Sequence, residues 1–157
     1  MAKRPKGTQP KRSKQHGPRP SATPPGPDNA ALSWRFSTLD RTYPQQGGWS
    51  AIDDADLRRI VDRVSALDDR SMTQVLAGSS TSQRDFTVYD QTTIDRGFCA
   101  DAKRQLADQE RDDATEIARI RIGSAKRLYA VRTPRGVFEM LWWDPNHEIY
   151  PTEPRNT

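Results

Sequence analysis

The last quarter of the chain contains two consecutive runs in which apolar and polar residues alternate. The first run extends from Arg119 to Arg132 and the second from Val137 to Asp144, with the turn sequence Thr133-Pro-Arg-Gly136 between them. Side chains of a strand point alternately to its two faces, and a Pro-x-Gly sequence favours a turn. The pattern therefore predicts an antiparallel meander, with strands near residues 116–123, 126–133 and 137–143.

The same alternation divides these strands into two faces. The apolar face is expected to pack against a helix, and it contains Ile120, Ile122, Leu128, Ala130, Phe138, Met140 and Trp142. The other face mixes polar and apolar residues, namely Arg119, Arg121, Arg127, Tyr129, Val131, Val137, Glu139, Leu141 and Trp143. Because part of this second face is apolar, we expect a helix or a partner to cover some of it.

Helical spacing dominates the sequence that precedes the meander. Leu57, Ile60, Val61, Val64 and Leu67 predict a core-facing helix near 51–67, and two further helices are predicted near 72–77 and 94–110. The patterns Ser50 with Asp53, Ser71 with Gln74, and Thr92 with Asp95 are typical of capping boxes. The segments Ala30 to Gly48 and Asp85 to Tyr89 are expected to be short strands or extended connections.

The basic character of the chain resides at its N-terminus. The first 27 residues contain seven Lys or Arg residues, seven prolines and no acid. Without them the net charge falls from +4 to −3, because 18 basic residues remain against 21 acidic ones. We expect residues 1–29 to be a disordered arm that contacts phosphates or serves only as a solubilising tail. Residues 30–157 are expected to form one α+β domain, with about three helices packed on one face of the small antiparallel sheet.

One cysteine, Cys99, excludes an internal disulfide and a multi-cysteine zinc site. It lies within the third predicted helix, where a buried cysteine usually acts as a small hydrophobic residue and less often as a nucleophile. No apolar run approaches the length of a membrane span. We therefore expect a soluble cytoplasmic protein with no membrane partner, no metal site and no cofactor.

The polar face of the meander has the residue types that cleavage of RNA requires. Attack of a 2′-hydroxyl on its phosphate needs a proton acceptor, a proton donor and positive charge near the phosphate. The candidate catalytic residues are Arg121, Arg127, Glu139, His147 and Tyr150, and the candidate nucleic-acid-binding residues are Arg119, Lys126 and Tyr129. The alternative is structural: His147 ends the turn sequence Asp144-Pro-Asn-His147, and Glu139 is a possible cross-strand partner for the arginines.

The stretch Arg121-Ile-Gly-Ser-Ala-Lys-Arg-Leu-Tyr129, the strand that follows it and the ending His147-Glu-Ile-Tyr150 resemble the C-terminal half of the RelE/ParE-like toxin superfamily. This resemblance covers about 35 of the 157 residues. It implies a small α/β unit, phosphate-binding roles for Arg121 and Arg127, and an acid or base at His147 or Tyr150. The ending Leu141-Trp-Trp-Asp-Pro-Asn-His147 is also similar to the Leu-Trp-x-Asp-x-x-His ending of an uncharacterised bacterial family, which implies no activity.

Two functions of different classes follow from these observations. The first is a toxin-like, metal-independent endoribonuclease or ribosome-directed inhibitor, whose partners would be RNA or the ribosome and an acidic antitoxin protein. The second is a non-enzymatic module that binds nucleic acid or a protein. Both rely on the basic face of the sheet.

Overall fold

A computed structural model of the protein describes residues 26–41, 43, 48–77, 85–111 and 114–151. Most of the predicted basic arm, residues 1–25, lies outside the described residues, so its disorder stays a prediction. Within the described part of the chain, five strands and four α-helices form the α+β arrangement that the sequence predicts.

The five strands form one sheet in the order β1-β5-β4-β3-β2. They are β1 (Ser33–Arg35), β2 (Phe86–Asp90), β3 (Glu116–Arg121), β4 (Arg127–Arg132) and β5 (Val137–Asp144). Strand β1 runs parallel to β5, whereas all other neighbours are antiparallel. The predicted meander is confirmed as β3-β4-β5, and the two segments expected to be extended contribute the edge strands β1 and β2.

The four helices are α1 (Asp54–Asp68), α2 (Met72–Ala77), α3 (Gln91–Gly97) and α4 (Ala100–Asp108), and a 3-10 turn (Trp49–Ala51) precedes α1. Helix α1 begins later than predicted because Asp53, rather than Ser50, is its cap and accepts a hydrogen bond from the Asp56 amide at 2.7 Å. The capping box at Ser71 and Gln74 is confirmed by bonds of 3.3 and 2.8 Å. No helix among the described residues is long and apolar enough to cross a membrane.

The single helix predicted near 94–110 is in fact two helices, α3 and α4. Phe98 separates them with an extended backbone and directs its ring against Tyr89 and Tyr129, at centroid distances of 5.5 and 5.8 Å. Burial of a Phe side chain contributes about 1.5–3 kcal/mol, which is enough to offset an interrupted helical turn. Cys99, expected within a helix, instead caps α4, and its Sγ accepts a hydrogen bond from the Ala102 amide at 3.4 Å.

Helices cover both faces of the sheet, so the prediction of helices on one face is wrong. Helices α1 and α2 form one core with the sheet residues Ala118, Ile120, Leu128, Ala130, Phe138, Met140 and Trp143. Helices α3 and α4 form a second core with Ile117, Tyr129, Val131, Leu141 and Trp142. The apolar residues on the mixed face of the meander are therefore covered by the second pair of helices, as one of the two expectations for that face required.

A β-bulge in β5 decides which tryptophan belongs to which core. Tyr129 pairs with Trp142, but the next residue, Ala130, pairs with Met140, so Leu141 is an extra residue on β5. One extra residue inverts the alternation beyond it. The assignment of Trp142 to the α1 face and of Trp143 to the opposite face is therefore wrong for both residues.

Helix α1 contacts the sheet with fewer residues than predicted. Ile60, Val64 and Leu67 are buried, whereas Leu57 is 47% exposed and Val61 is 54% exposed. The helix is rotated so that one acidic side chain, that of Asp56, is also buried. Its carboxylate accepts two hydrogen bonds from the Lys126 ammonium group, and this ion pair makes the burial possible.

Candidate functional site

Three arginines lie close together on the sheet face that also packs against α3 and α4. Arg119 and Arg121 are two residues apart on β3, and Arg127 lies directly across from Arg121 on β4. Like charges at directly opposed strand positions repel each other. We call Arg119, Arg121 and Arg127 the arginine site, because a bound anion would relieve the repulsion among them.

Arg127 is the most buried member of the arginine site, with 8% of its surface exposed. One guanidinium nitrogen donates hydrogen bonds to the carbonyl groups of Gly123 and Lys126 at 3.0 and 2.9 Å, but the buried Nε has no partner among the described residues. Burial, followed by the charges of Arg119 and Arg121, lowers the pKa of Arg127. Because an arginine remains protonated in proteins, the result is a partly desolvated cation without a carboxylate partner in the described part of the chain.

Arg119 contacts the edge strand β2. Its Nη2 donates to the Thr87 hydroxyl at 3.2 Å, and its guanidinium carbon lies 5.6 Å from the centroid of the Tyr89 ring. Its Nε is buried and makes no hydrogen bond to any residue that the structure describes. Arg119 and Arg127 thus both hold a buried N–H donor without a partner among the described residues, and each guanidinium carries a charge that no carboxylate hydrogen-bonds there.

Aromatic rings form one wall of the arginine site. Tyr150 stacks on Tyr89 with centroids 4.8 Å apart and planes at 17°, and Gly97 permits this because a Cβ atom there would overlap the Tyr150 ring. Tyr129, directly across from Arg119, is fully buried, and its hydroxyl has no partner among the described residues. Burial raises the pKa of Tyr129 and raises that of Tyr89 to about 12, so both hydroxyls stay protonated at neutral pH.

A turn organised by Asp144 places His147 beside these charges. The buried Asp144 carboxylate accepts hydrogen bonds from the amides of Asn146, Glu148 and Ile149 at 3.3, 3.0 and 3.0 Å. His147 itself has a left-handed backbone with φ of 62°. Burial, then the charge of Arg127, lowers the pKa of His147, although Asp144 opposes this. The imidazole is therefore neutral at neutral pH and can accept a proton.

The structure separates Glu139 and Lys126 from the arginine site. Glu139 binds Arg35 at 2.7 Å and Arg111 at 2.8 Å, and it pairs across the sheet with Val131, four residues along β4 from Arg127. At about 3.3 Å per residue this is roughly 13 Å from the site. The expectation that Glu139 is catalytic, or is the cross-strand partner of the site arginines, does not fit this position.

Lys126 faces the opposite side of the sheet from the arginine site. Its ammonium group binds both carboxylate oxygens of Asp56 on α1, at 2.7 and 2.6 Å. This position follows from strand alternation, because Lys126 immediately precedes Arg127. A phosphate bound at the arginine site would therefore not meet Lys126.

Six of the eight predicted site residues come together, namely Arg119, Arg121, Arg127, Tyr129, His147 and Tyr150. Two contributors were not among the predicted site residues. Tyr89 could have been found from the alternation of Phe86-Thr-Val-Tyr89, which places it on the same face as Thr87. Asp144 reaches this face only because of the bulge in β5, for which the sequence gives no clear sign.

The sequence matches no known protein-family model, and it has no significant similarity to any curated protein or to any solved structure.

Proposed function

We propose that the protein binds the phosphodiester backbone of RNA at the arginine site and cleaves it by intramolecular attack of a 2′-hydroxyl. The observation that carries the proposal is the placement of three guanidinium groups on adjacent strands, two of them without a carboxylate partner among the described residues. Positive charge held in a partly desolvated site stabilises the additional negative charge of a phosphorane transition state.

His147 is the base in this proposal. Its neutral imidazole takes the proton of the 2′-hydroxyl, the 2′-oxygen forms a bond to phosphorus, and the bond from phosphorus to the 5′-oxygen breaks. The leaving 5′-oxygen takes up a proton, and the products are a 2′,3′-cyclic phosphate and a 5′-hydroxyl end. Because Glu139 is distant, Tyr150 is the remaining predicted candidate for the proton donor.

The resemblance to RelE/ParE-like toxins supports the same proposal, since Arg121, Arg127 and the ending His147 to Tyr150 carry it. Many members of that superfamily cleave mRNA on the ribosome. By this resemblance the partners are RNA or the ribosome and an acidic antitoxin, and the activity belongs in the cytoplasm. The Lys- and Arg-rich N-terminal sequence would add salt-dependent affinity for RNA.

One observation favours a second candidate, a binding module without catalysis. Tyr129 is fully buried and Glu139 is held by two arginines away from the site, so His147 is the one predicted proton acceptor left beside the arginine site among the described residues. An arginine site with this composition can hold phosphate without promoting cleavage.

The test is incubation of the full chain with an end-labelled RNA, followed by identification of the product ends. His147→Asn keeps the left-handed backbone, which Asn tolerates, and removes the base. We expect cleavage to fall about 100-fold or more, and Arg119→Gln to cause a loss of similar size. Arg104→Gln is the control, because Arg104 is an exposed residue of α4 paired with Asp101.

The outcomes separate the two candidates. Cyclic phosphate ends that disappear with His147→Asn but persist with Arg104→Gln support the nuclease. A wild-type chain that binds RNA through the arginine site without cleaving it supports the binding module. A chain that does neither contradicts both.

A further inference from the structure

An open pocket of about 510 Å³, which we call the edge pocket, lies between α1 and the end of the sheet where β2 begins and β3 ends. Arg59 and Arg63, one turn apart on α1, contribute to its lining together with Arg121, Asp62 and Asp85. Arg121 therefore belongs both to this pocket and to the arginine site. We call Arg59, Arg63 and Arg121 the edge-pocket arginines.

The ion pairs that hold the two α1 arginines are easily exchanged. The side chain of Arg59 is 58% exposed, and it contacts Asp56 at 3.3 Å, whereas Lys126 holds the same carboxylate at 2.6 Å. Arg63 pairs with Asp85, whose side chain is 59% exposed. Each pair has one side chain that is more than half exposed, which weakens its contribution to stability, and Lys126 continues to neutralise Asp56 when Arg59 leaves it, so a phosphate can replace the aspartates at small cost.

We propose that the edge pocket binds a second phosphate of the same nucleic-acid strand, next to the phosphate at the arginine site. This inference rests on the proposed function. The continuity is provided by Arg121, since it lines the pocket and lies directly across from Arg127. The ligand is accordingly an oligonucleotide with at least two consecutive phosphates, and its backbone passes from α1 over the end of β3 to β4.

The test is a comparison of two ligands with the full chain. The first is a fluorescently labelled 2′-O-methyl pentanucleotide, which lacks the attacking hydroxyl and cannot be cleaved. The second is uridine 3′-monophosphate, which has one phosphate. The pocket variant is R59A/R63A, and the control variant is R58A/R104A, which removes two exposed helix charges outside the pocket.

The pocket variant is expected to bind the pentanucleotide at least tenfold more weakly than the wild type. Its slope of log affinity against log salt concentration is expected to be smaller in magnitude by about 0.7, the value for one phosphate of a single strand. Its affinity for the mononucleotide is expected to stay unchanged. The control variant is expected to keep the wild-type slope.

Each result has a distinct meaning. The second phosphate position is overturned if the pocket and control variants lose equal affinity for the pentanucleotide, or if the pocket variant binds it like the wild type. The arginine site is unaffected by either result. An equal loss of affinity for the two ligands in the pocket variant overturns the second phosphate position as well, because the α1 arginines would then contribute to binding of the first phosphate. A wild-type chain that binds neither ligand contradicts the proposed function itself.

Discussion

Substitution of Asp144 by Asn is expected to unfold the turn that carries His147 and to destabilise the protein. Asp144 is fully buried, and its two carboxylate oxygens accept three backbone hydrogen bonds. Oδ1 serves Asn146 and Glu148, whereas Oδ2 serves Ile149 alone. An asparagine keeps only one side-chain oxygen. Its NH2 group would therefore face at least one of the backbone N–H groups that now donate to Asp144, and two donors cannot form a hydrogen bond.

The magnitude follows from these three bonds. A hydrogen bond to a charged group contributes about 1.5–3 kcal/mol, a neutral one about 0.5–1.5, and an unsatisfied buried donor costs about 1–3 kcal/mol. Two bonds weakened by about 1 kcal/mol each and one donor left unsatisfied at about 2 kcal/mol together correspond to about 4 kcal/mol.

Urea unfolding followed by tryptophan fluorescence measures the effect. With a slope of about 2 kcal/mol/M, the midpoint is expected to fall by about 2 M. The amide protons of Glu148 and Ile149 should also exchange faster than those of β4. The matched control is Asp101→Asn, because Asp101 is 67% exposed and makes only a surface pair with Arg104. A change below about 0.5 kcal/mol in Asp144→Asn, within the range of ordinary surface substitutions, would refute this account of the turn.

Three further predictions concern stability and the residues outside the arginine site. Folding lowers the pKa of His147, so below pH about 6.5 the unfolded chain binds more protons than the folded chain. The free energy of unfolding should therefore be unaffected by His147 above pH about 6.5 and should decrease as the pH falls below it. His147→Asn should remove part of that decline between pH 7 and 5, and identical pH profiles would contradict the shift. Phe138→Ala and Trp142→Ala should each cost about 3–5 kcal/mol, since both side chains are fully buried, and near-neutral urea midpoints would contradict the two cores. Lys126→Ala should cost about 1–3 kcal/mol because the buried Asp56 carboxylate loses its Lys126 partner, yet it should leave the affinity for uridine 3′-monophosphate unchanged, since Lys126 faces away from the arginine site. A loss of mononucleotide affinity equal to that of Arg119→Gln would contradict this placement of Lys126.

Local patterns predicted the elements of the fold well. The alternation from Arg119 onward predicted β3, β4 and β5, and the Ser71–Gln74 box predicted the start of α2, because both depend on neighbouring residues only. The break at Phe98 was not predictable in this way. It depends on burial of the Phe98 ring against Tyr129, which lies on β4, 31 residues further along the sequence.

The candidate site was predicted in part for the same reason. Arg119, Arg121 and Arg127 share a face by alternation alone. The partners of Glu139 are 104 and 28 residues away in sequence, so local spacing could not identify Arg35 and Arg111. The bulge at Leu141 is also a tertiary feature, because a period of two contains no sign of an extra residue.

The most direct test of the arginine site follows the Nε–H signals of the arginines by ¹⁵N NMR during titration with the 2′-O-methyl pentanucleotide. The Nε groups of Arg119 and Arg127 are buried and without partners among the described residues, so a bound phosphate should change both. We expect these two signals to shift with one common affinity and to become protected from exchange, while the signal of Arg104 stays in place. Binding of the oligonucleotide with no change at Arg119 and Arg127 would show that the nucleic acid is held elsewhere and would contradict the account.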